Sequence, residues 1–198
     1  MINTLDPNQR RDIKSAFFIF PNEPAVARLI IEQRKGYISR MTNNSVLQKI
    51  QFALNLSTAD IVGIYKLVDY SVADEKTLAG YFIDNKSEAF VLCPNQAVAA
   101  FLDGLIISRR GVNEKNPAPA GYSNIALDNN DVFKKLRIAF DFHTEDLEVI
   151  FEKAMSEVSK NDLSAFFRKK GHKHYKVCSD PILESFLIMI RSKKVLAK

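Results

Sequence analysis

Scarcity narrows the chain first. Its 198 residues hold no tryptophan, two cysteines, three histidines and seven glycines. Two cysteines without a secretion signal do not make the disulfide framework of a small secreted domain. No apolar run approaches the roughly 18 residues needed to span a bilayer. Ala16-Phe17-Phe18-Ile19-Phe20 is too short for a signal-peptide core and has no small-residue cleavage site after it. A cytoplasmic protein with no membrane partner is therefore expected. The glycines build no phosphate-cradling loop, and neither a nucleophile elbow nor a His-Glu-x-x-His pair is present. No catalytic residue and no cofactor is assigned.

What the chain does have is a repeat. The stretch from Asn43-Asn44-Ser45-Val46 to Arg110 returns, diverged, from Asn129-Asn130-Asp131-Val132 to Lys194. Equivalent positions lie 86 residues apart early in the unit and 85 apart later. Self-similarity at a fixed period means two copies of one structural unit. The shared positions are nearly all apolar: Val46/Val132, Ile50/Leu136, Ile61/Leu147, Ile64/Ile150, Tyr65/Phe151, Tyr81/Phe166, Cys93/Cys178, Phe101/Phe186 and Leu102/Leu187 among them. That is a retained core rather than a retained catalytic site, and it places both cysteines inside as small hydrophobes.

The apolar spacing is helical. Ile61, Ile64, Tyr65 and Val68 fall at i, i+3, i+4 and i+7, as do Leu147, Ile150, Phe151 and Ala154. No segment sustains a strand alternation. Thr58 and Thr144 are read as N-caps ahead of Asp60 and Asp146, Ser159 with Asp162 as a capping box, and the Asn43-Asn44 and Asn129-Asn130 pairs as caps. Pro94 and Pro181 suit the start of each unit's last helix. The fold expected is all-α: a tandem duplication of a four-helix unit, helices near 44–55, 58–68, 74–83 and 95–108, then 130–141, 144–155, 160–169 and 180–192.

The organisation that follows is an N-terminal extension over 1–41, unit 1 over 42–110, a Pro/Ala-containing linker over 111–128, unit 2 over 129–194 and a tail over 195–198. Gly111 suits a helix end, while Pro117 and Pro119 favour an extended spacer. The extension is read as an upstream addition with little structure before Met41, the alternative being a basic arm that packs or binds. Charge is uneven: net +3 over 1–40, −1 over 43–110, −1 over 111–128 and +4 over 129–198. The second unit is the one to suspect of an anionic partner.

Within it, Arg168, Lys169, Lys170, His172, Lys173 and Lys176 crowd into nine residues that contain no acid. The equivalent stretch 83–91 has one lysine and two acids, so the fold does not need that charge. The run is a candidate polyanion site set against a solvated loop. The helices before it read as helix, turn, helix, an arrangement shared by DNA readers and by many helical proteins. A nucleic-acid face would bring Lys134, Lys135 and Arg137 beside the run. His172, His174 and Cys178 offer three zinc ligands where a closed site needs four, so no metal is assigned. The leading functional expectation is a non-enzymatic binding or adaptor protein whose partner is another protein or a second copy of itself. The alternative is a nucleic-acid binder using the basic segment of unit 2.

Three stretches also carry a resemblance. They are Asn129-Asn130-x-Val132-x-Lys134-Lys135-Leu136-Arg137-Ile138-Ala139-Phe140, Leu163-Ser164-Ala165-Phe166-Phe167-Arg168-Lys169 and His172-Lys173-x-Tyr175-x-x-Cys178-x-Asp180. With Cys93-Pro94, Phe101-Leu102-x-Gly104-Leu105-Ile106 and Arg110-Gly111, they resemble the YehS-like family, a bacterial family of unknown function built from two copies of one domain. The resemblance covers about 150 residues from Met41. It implies an all-helical bacterial cytoplasmic protein and brings no activity, cofactor or catalytic residue. The chain departs from the family pattern at His174 (Asn there), Pro181 (Gln), Glu184 (Arg) and Met189 (Gly), and residues 1–40 have no counterpart in it.

Overall fold

The computed structural model describes residues 41–72, 74–154 and 158–195, with side chains to residue 190. The readings of the N-terminal extension and of the last three residues lie outside the described residues. Eight helices and no strand occur among those described. Unit 1 supplies α1 (Asn43–Leu54), α2 (Thr58–Lys66), α3 (Glu75–Gly80) and α4 (Asn95–Arg110). Unit 2 repeats them as α5 (Asn129–Ala139), α6 (Thr144–Lys153), α7 (Lys160–Phe166) and α8 (Asp180–Val195). The chain is thus a tandem duplication of a four-helix unit.

The caps lie one residue earlier than the sequence suggests. Ser57, not Thr58, is the N-cap of α2: its Oγ accepts the Asp60 N–H at 3.2 Å, and Asp60 Oδ2 accepts the Ser57 N–H at 2.8 Å. His143, not Thr144, precedes α6, where Asp146 Oδ2 accepts the His143 N–H at 2.8 Å. Ser159 and Asp162 make the expected box on α7. The first helix of each unit ends alike, with Asn55 at φ 53° and Asp141 at φ 55° in the left-handed region that Asn and Asp tolerate best among non-glycine residues.

The asparagine pairs are not caps. Thr42 caps α1 and Asp128 caps α5, while the asparagines behind them tie each unit together. Asn43 Nδ2 donates to the Cys93 carbonyl at 3.0 Å and to Asn95 Oδ1 at 2.9 Å, joining the starts of α1 and α4. Asn129 Nδ2 does the same with the Cys178 carbonyl and Asp180 Oδ1, at 3.0 and 2.6 Å. The second asparagine is buried and makes three bonds. Asn44 donates to the Tyr81 and Val91 carbonyls at 3.1 and 2.8 Å and accepts the Cys93 N–H at 2.9 Å. Asn130 donates to the Phe166 and Lys176 carbonyls at 2.9 and 2.7 Å and accepts the Cys178 N–H at 2.8 Å. Each therefore pins both ends of a ten-residue loop, 82–91 or 167–176.

One apolar core runs through both units. In unit 1 it is built round Leu47, Ile50, Phe101 and Tyr65, in unit 2 round Phe133, Phe151, Phe166 and Phe186. The units pack reciprocally: α4 lies on α5, and α8 lies on α1. Equivalent lysines bridge the two contacts. Lys49 reaches Glu184 at 2.6 Å, and Lys135 pairs with Asp103. Glu184 supplies the acid that Lys49 pairs with.

At Gly104 a Cβ would fall 2.2 Å from the Ile64 carbonyl oxygen, so α2 and α4 touch through backbone. The equivalent residue of unit 2 is the buried Met189, a long side chain where unit 1 has none. The linker is only half a spacer. Residues 111–117 are exposed, but Tyr122 is buried, its O–H donating to Asp103 Oδ2 at 3.3 Å and its ring packed edge-on to Tyr70. Asn95 Nδ2 also holds the Ile125 carbonyl at 3.3 Å.

Removing either clamp should cost stability, and each in its own place. Asn130→Ala leaves two carbonyls and one N–H unpaired in a buried site, a loss of about 3 kcal/mol in urea unfolding. It should also open the 167–176 loop to trypsin, whereas Asn44→Ala should destabilise similarly and leave tryptic cleavage of 167–176 unchanged.

Candidate functional site: the cationic loop of unit 2

The run read from sequence folds as an ordered loop. Arg168 N–H and Lys176 N–H both donate to the Ala165 carbonyl at 3.3 Å, His172 N–H donates to Lys169 O at 3.0 Å, and Tyr175 N–H donates to His172 O at 2.8 Å. Gly171 sits at φ +89°, a backbone conformation that side chains resist, and turns the run back on itself. A compact surface loop whose ends are held together is an Ω-loop, a common carrier of function.

Charges within the loop divide into those already paired and those left over. Lys176 Nζ meets Asp162 Oδ1 at 2.5 Å, and Lys170 Nζ lies 4.0 Å from Asp128 Oδ2. Arg168 Nη1 touches the His172 ring at 3.5 Å, and His172 Nδ1 accepts the His174 N–H at 3.1 Å. Lys169 and Lys173 are exposed and make no ion pair among the described residues. Tyr175 is half-buried, and burial together with the nearby Asp128 carboxylate raises its hydroxyl above the usual tyrosine value. The loop and α7 together border an open cleft of about 550 Å³ lined by Asn161, Ser164, Arg168, Lys173, His174 and Tyr175, with Asp162, Ala165 and Lys176 completing the wall.

Of the six residues singled out from sequence, Arg168, Lys173 and Lys176 line the cleft, while Lys169, Lys170 and His172 stand outside its wall on the same loop. Asn161, Ser164, His174 and Tyr175 join the site from the structure. The spacing of Asn161, Ser164 and Arg168 at i, i+3 and i+7 along α7 and its end was the available signal. Lys135 does not enlarge the positive face. Lys135 is committed to Asp103, and Arg137 bonds the Phe142 carbonyl through Nε at 3.0 Å, its guanidinium 4.5 Å over the Phe167 ring.

Elsewhere the reactive groups are buried. Burial pushes the Cys93 and Cys178 thiols up to about 12, and both cysteines are free and inside. That is where a core hydrophobe belongs, and it keeps both sulfurs protonated. No cluster of three His, Cys, Asp or Glu able to hold a metal occurs among the described residues. No described helix is long and apolar enough to cross a membrane.

Comparison with known proteins places these features in a family. A family model described as "Protein of unknown function (DUF1456)" matches residues 43–111 and again 129–193, one match per unit. "Uncharacterized protein YehS" of Escherichia coli (strain K12) is 33% identical over 147 residues, covering 74% of this chain and 92% of that protein. No solved structure matches.

The ion pair at the cleft wall sets a pH dependence. Lys176 and the Ser159 cap hold the Asp162 carboxyl down at about 2. A depressed carboxylate stabilises the fold above its unfolded value near 4 and stops doing so as pH falls through about 2. The stability gap between the wild type and Asp162→Asn should therefore be constant above about pH 4 and shrink between about pH 4 and 2, read by urea unfolding at each pH.

Proposed function

The chain belongs to this DUF1456 family of unknown function, and from its own geometry we propose that it is a non-enzymatic binding protein whose working surface is the cationic loop of unit 2. The observation that carries this is the contrast between two identically pinned loops. The loop 82–91 holds Asp84, Lys86 and Glu88, whereas 167–176 holds Arg168, Lys169, Lys170, Lys173 and Lys176 without an acid. The same asparagine clamp supports both, so folding does not call for five cations in one of them. Like charges held close together raise the free energy of the unliganded protein, and an anionic partner relieves it.

Nucleic acid fits this surface as the anionic partner. Major-groove reading does not, because α7 has seven residues and spans only about 10 Å. Binding of labelled single-stranded DNA, RNA and duplex DNA to the full chain, followed by anisotropy across a salt series, tests the reading. Three or four phosphate contacts should give a log–log salt slope of about −2 to −3 for single strands. Lys169→Glu/Lys170→Glu/Lys173→Glu should abolish the binding, and binding unchanged in that variant, or insensitive to salt, removes the loop from consideration.

A protein partner or a second copy of the chain is the other reading, carried by Leu92 and Val177. These equivalent residues, one beside each clamped cysteine, are 71% and 69% exposed. Exposure of a large apolar side chain at the same place in both units is what a duplicated docking point requires. Sedimentation of the full chain should then show association that Leu92→Ser/Val177→Ser eliminates.

A further inference from the structure

The two loops do not rest on their helices in the same way. Gly80 of α3 occupies the place that Ala165 has in α7. A Cβ at Gly80 would fall 2.5 Å from Val91 Cγ2 and 2.8 Å from the Ala89 carbonyl oxygen, so the first loop lies directly on its helix. Ala165 carries that Cβ, so the carbonyl equivalent to Ala89's cannot lie as close to α7. The bond that closes the loop, Val91 N–H to Gly80 O at 3.1 Å, becomes Lys176 N–H to Ala165 O at 3.3 Å. Ala165 itself lies in the wall of the cleft.

The lining has been exchanged along with the glycine. Asn161, Ser164, Arg168, Lys173, His174 and Tyr175 stand where unit 1 has Lys76, Ala79, Ile83, Glu88, Ala89 and Phe90. A surface that only gathered anions would need the cations alone. Here they border an amide, a hydroxyl and a half-buried tyrosine. Neutral donors and acceptors beside a ring and two cations match a molecule with one ionic end and one flat, hydrogen-bonding end.

We propose that this cleft is a nucleotide site, with Arg168 and Lys173 on the phosphate, Tyr175 against the base, and Asn161 and Ser164 on base or sugar edges. The proposal rests on the anion-binding reading above and specifies its ligand. The volume of about 550 Å³ lies within the range of small-molecule sites, about 300–1,000 Å³. A ring already half-buried before the ligand arrives loses less freedom on binding than an exposed one. Asparagine is a side chain that can read a base edge with both its donor and its acceptor. Lys169 and Lys170, outside the wall, are placed on the same loop for the neighbouring phosphates of a single strand.

The test separates the cleft from the charge. Ser164 is exposed, so Ser164→Phe should fold, fill the cleft and leave every cation in place; Asn161→Leu, at another exposed position, is the second cleft variant. The full-length protein and both variants, with thermal melts as a folding check, are titrated with a labelled ten-nucleotide single strand, adenosine monophosphate, a phosphorylated peptide and inorganic polyphosphate. The expected result is a loss of about tenfold or more in strand affinity for the cleft variants, the scale of one base stack, with polyphosphate affinity unchanged within about twofold. Adenosine monophosphate bound with the same sensitivity assigns the site to free nucleotides, and strand binding without it assigns the site to single strands; either supports the proposal. Strand affinity unchanged in both cleft variants overturns it and leaves the anion-binding reading standing, as does a phosphopeptide that binds more tightly than either nucleotide probe with the same sensitivity. No binding of any anion sinks both.

Discussion

A buried asparagine holds each unit in shape. Asn44 and Asn130 sit on the first helix of their units and reach across to the chain on either side of a surface loop, satisfying two carbonyls and one N–H that would otherwise be buried unpaired. An amide is suited to the task, since it offers two donors and an acceptor within one planar group. Both stalks of the loop are thereby held in a fixed relation to α1 or α5. The adjacent Asn43 and Asn129 join the same helices to the start of α4 and α8, so two consecutive residues order the unit. Loop content then varies without disturbing the frame beneath it, and one loop became acidic while the other became basic.

Much of this frame was legible in the chain. The 86- and 85-residue offsets gave the duplication, and the i, i+3, i+4 spacing of Ile61, Ile64 and Tyr65 gave the helices, because both are periodic signals carried by many residues at once. The asparagines were visible as repeated residues, yet their role was misread. Asn at a helix start ordinarily caps it, and nothing local says that these side chains turn inward toward carbonyls some 35 to 50 positions away. The caps themselves fell one residue early at Ser57 and His143, since Thr58 and Ser57 are chemically equivalent candidates and only backbone geometry chooses between them.

The candidate site was half legible. Its cations stood out as a run of like charge, which composition reveals directly. The cleft did not, because it forms between a helix and a loop that the fold brings together, and no run of residues along the chain announces it. Lys135 and Arg137 show the converse. They read as members of a positive face, but Lys135 is paired with Asp103 between the units, and Arg137 is turned onto the Phe167 ring and the Phe142 carbonyl within unit 2. Counting charge along a sequence gives an upper bound on what a surface can present.

The reciprocal packing of α4 on α5 and α8 on α1 is the arrangement of a two-fold dimer written into one chain. In an assembly of identical subunits, every residue placed on one loop is placed on its twin. Covalent fusion lifts that restriction. One half can keep the geometry that both share while the other explores chemistry, so asymmetry of function needs no asymmetry of architecture. A chain of this kind can acquire a single site where a symmetric dimer is obliged to carry two.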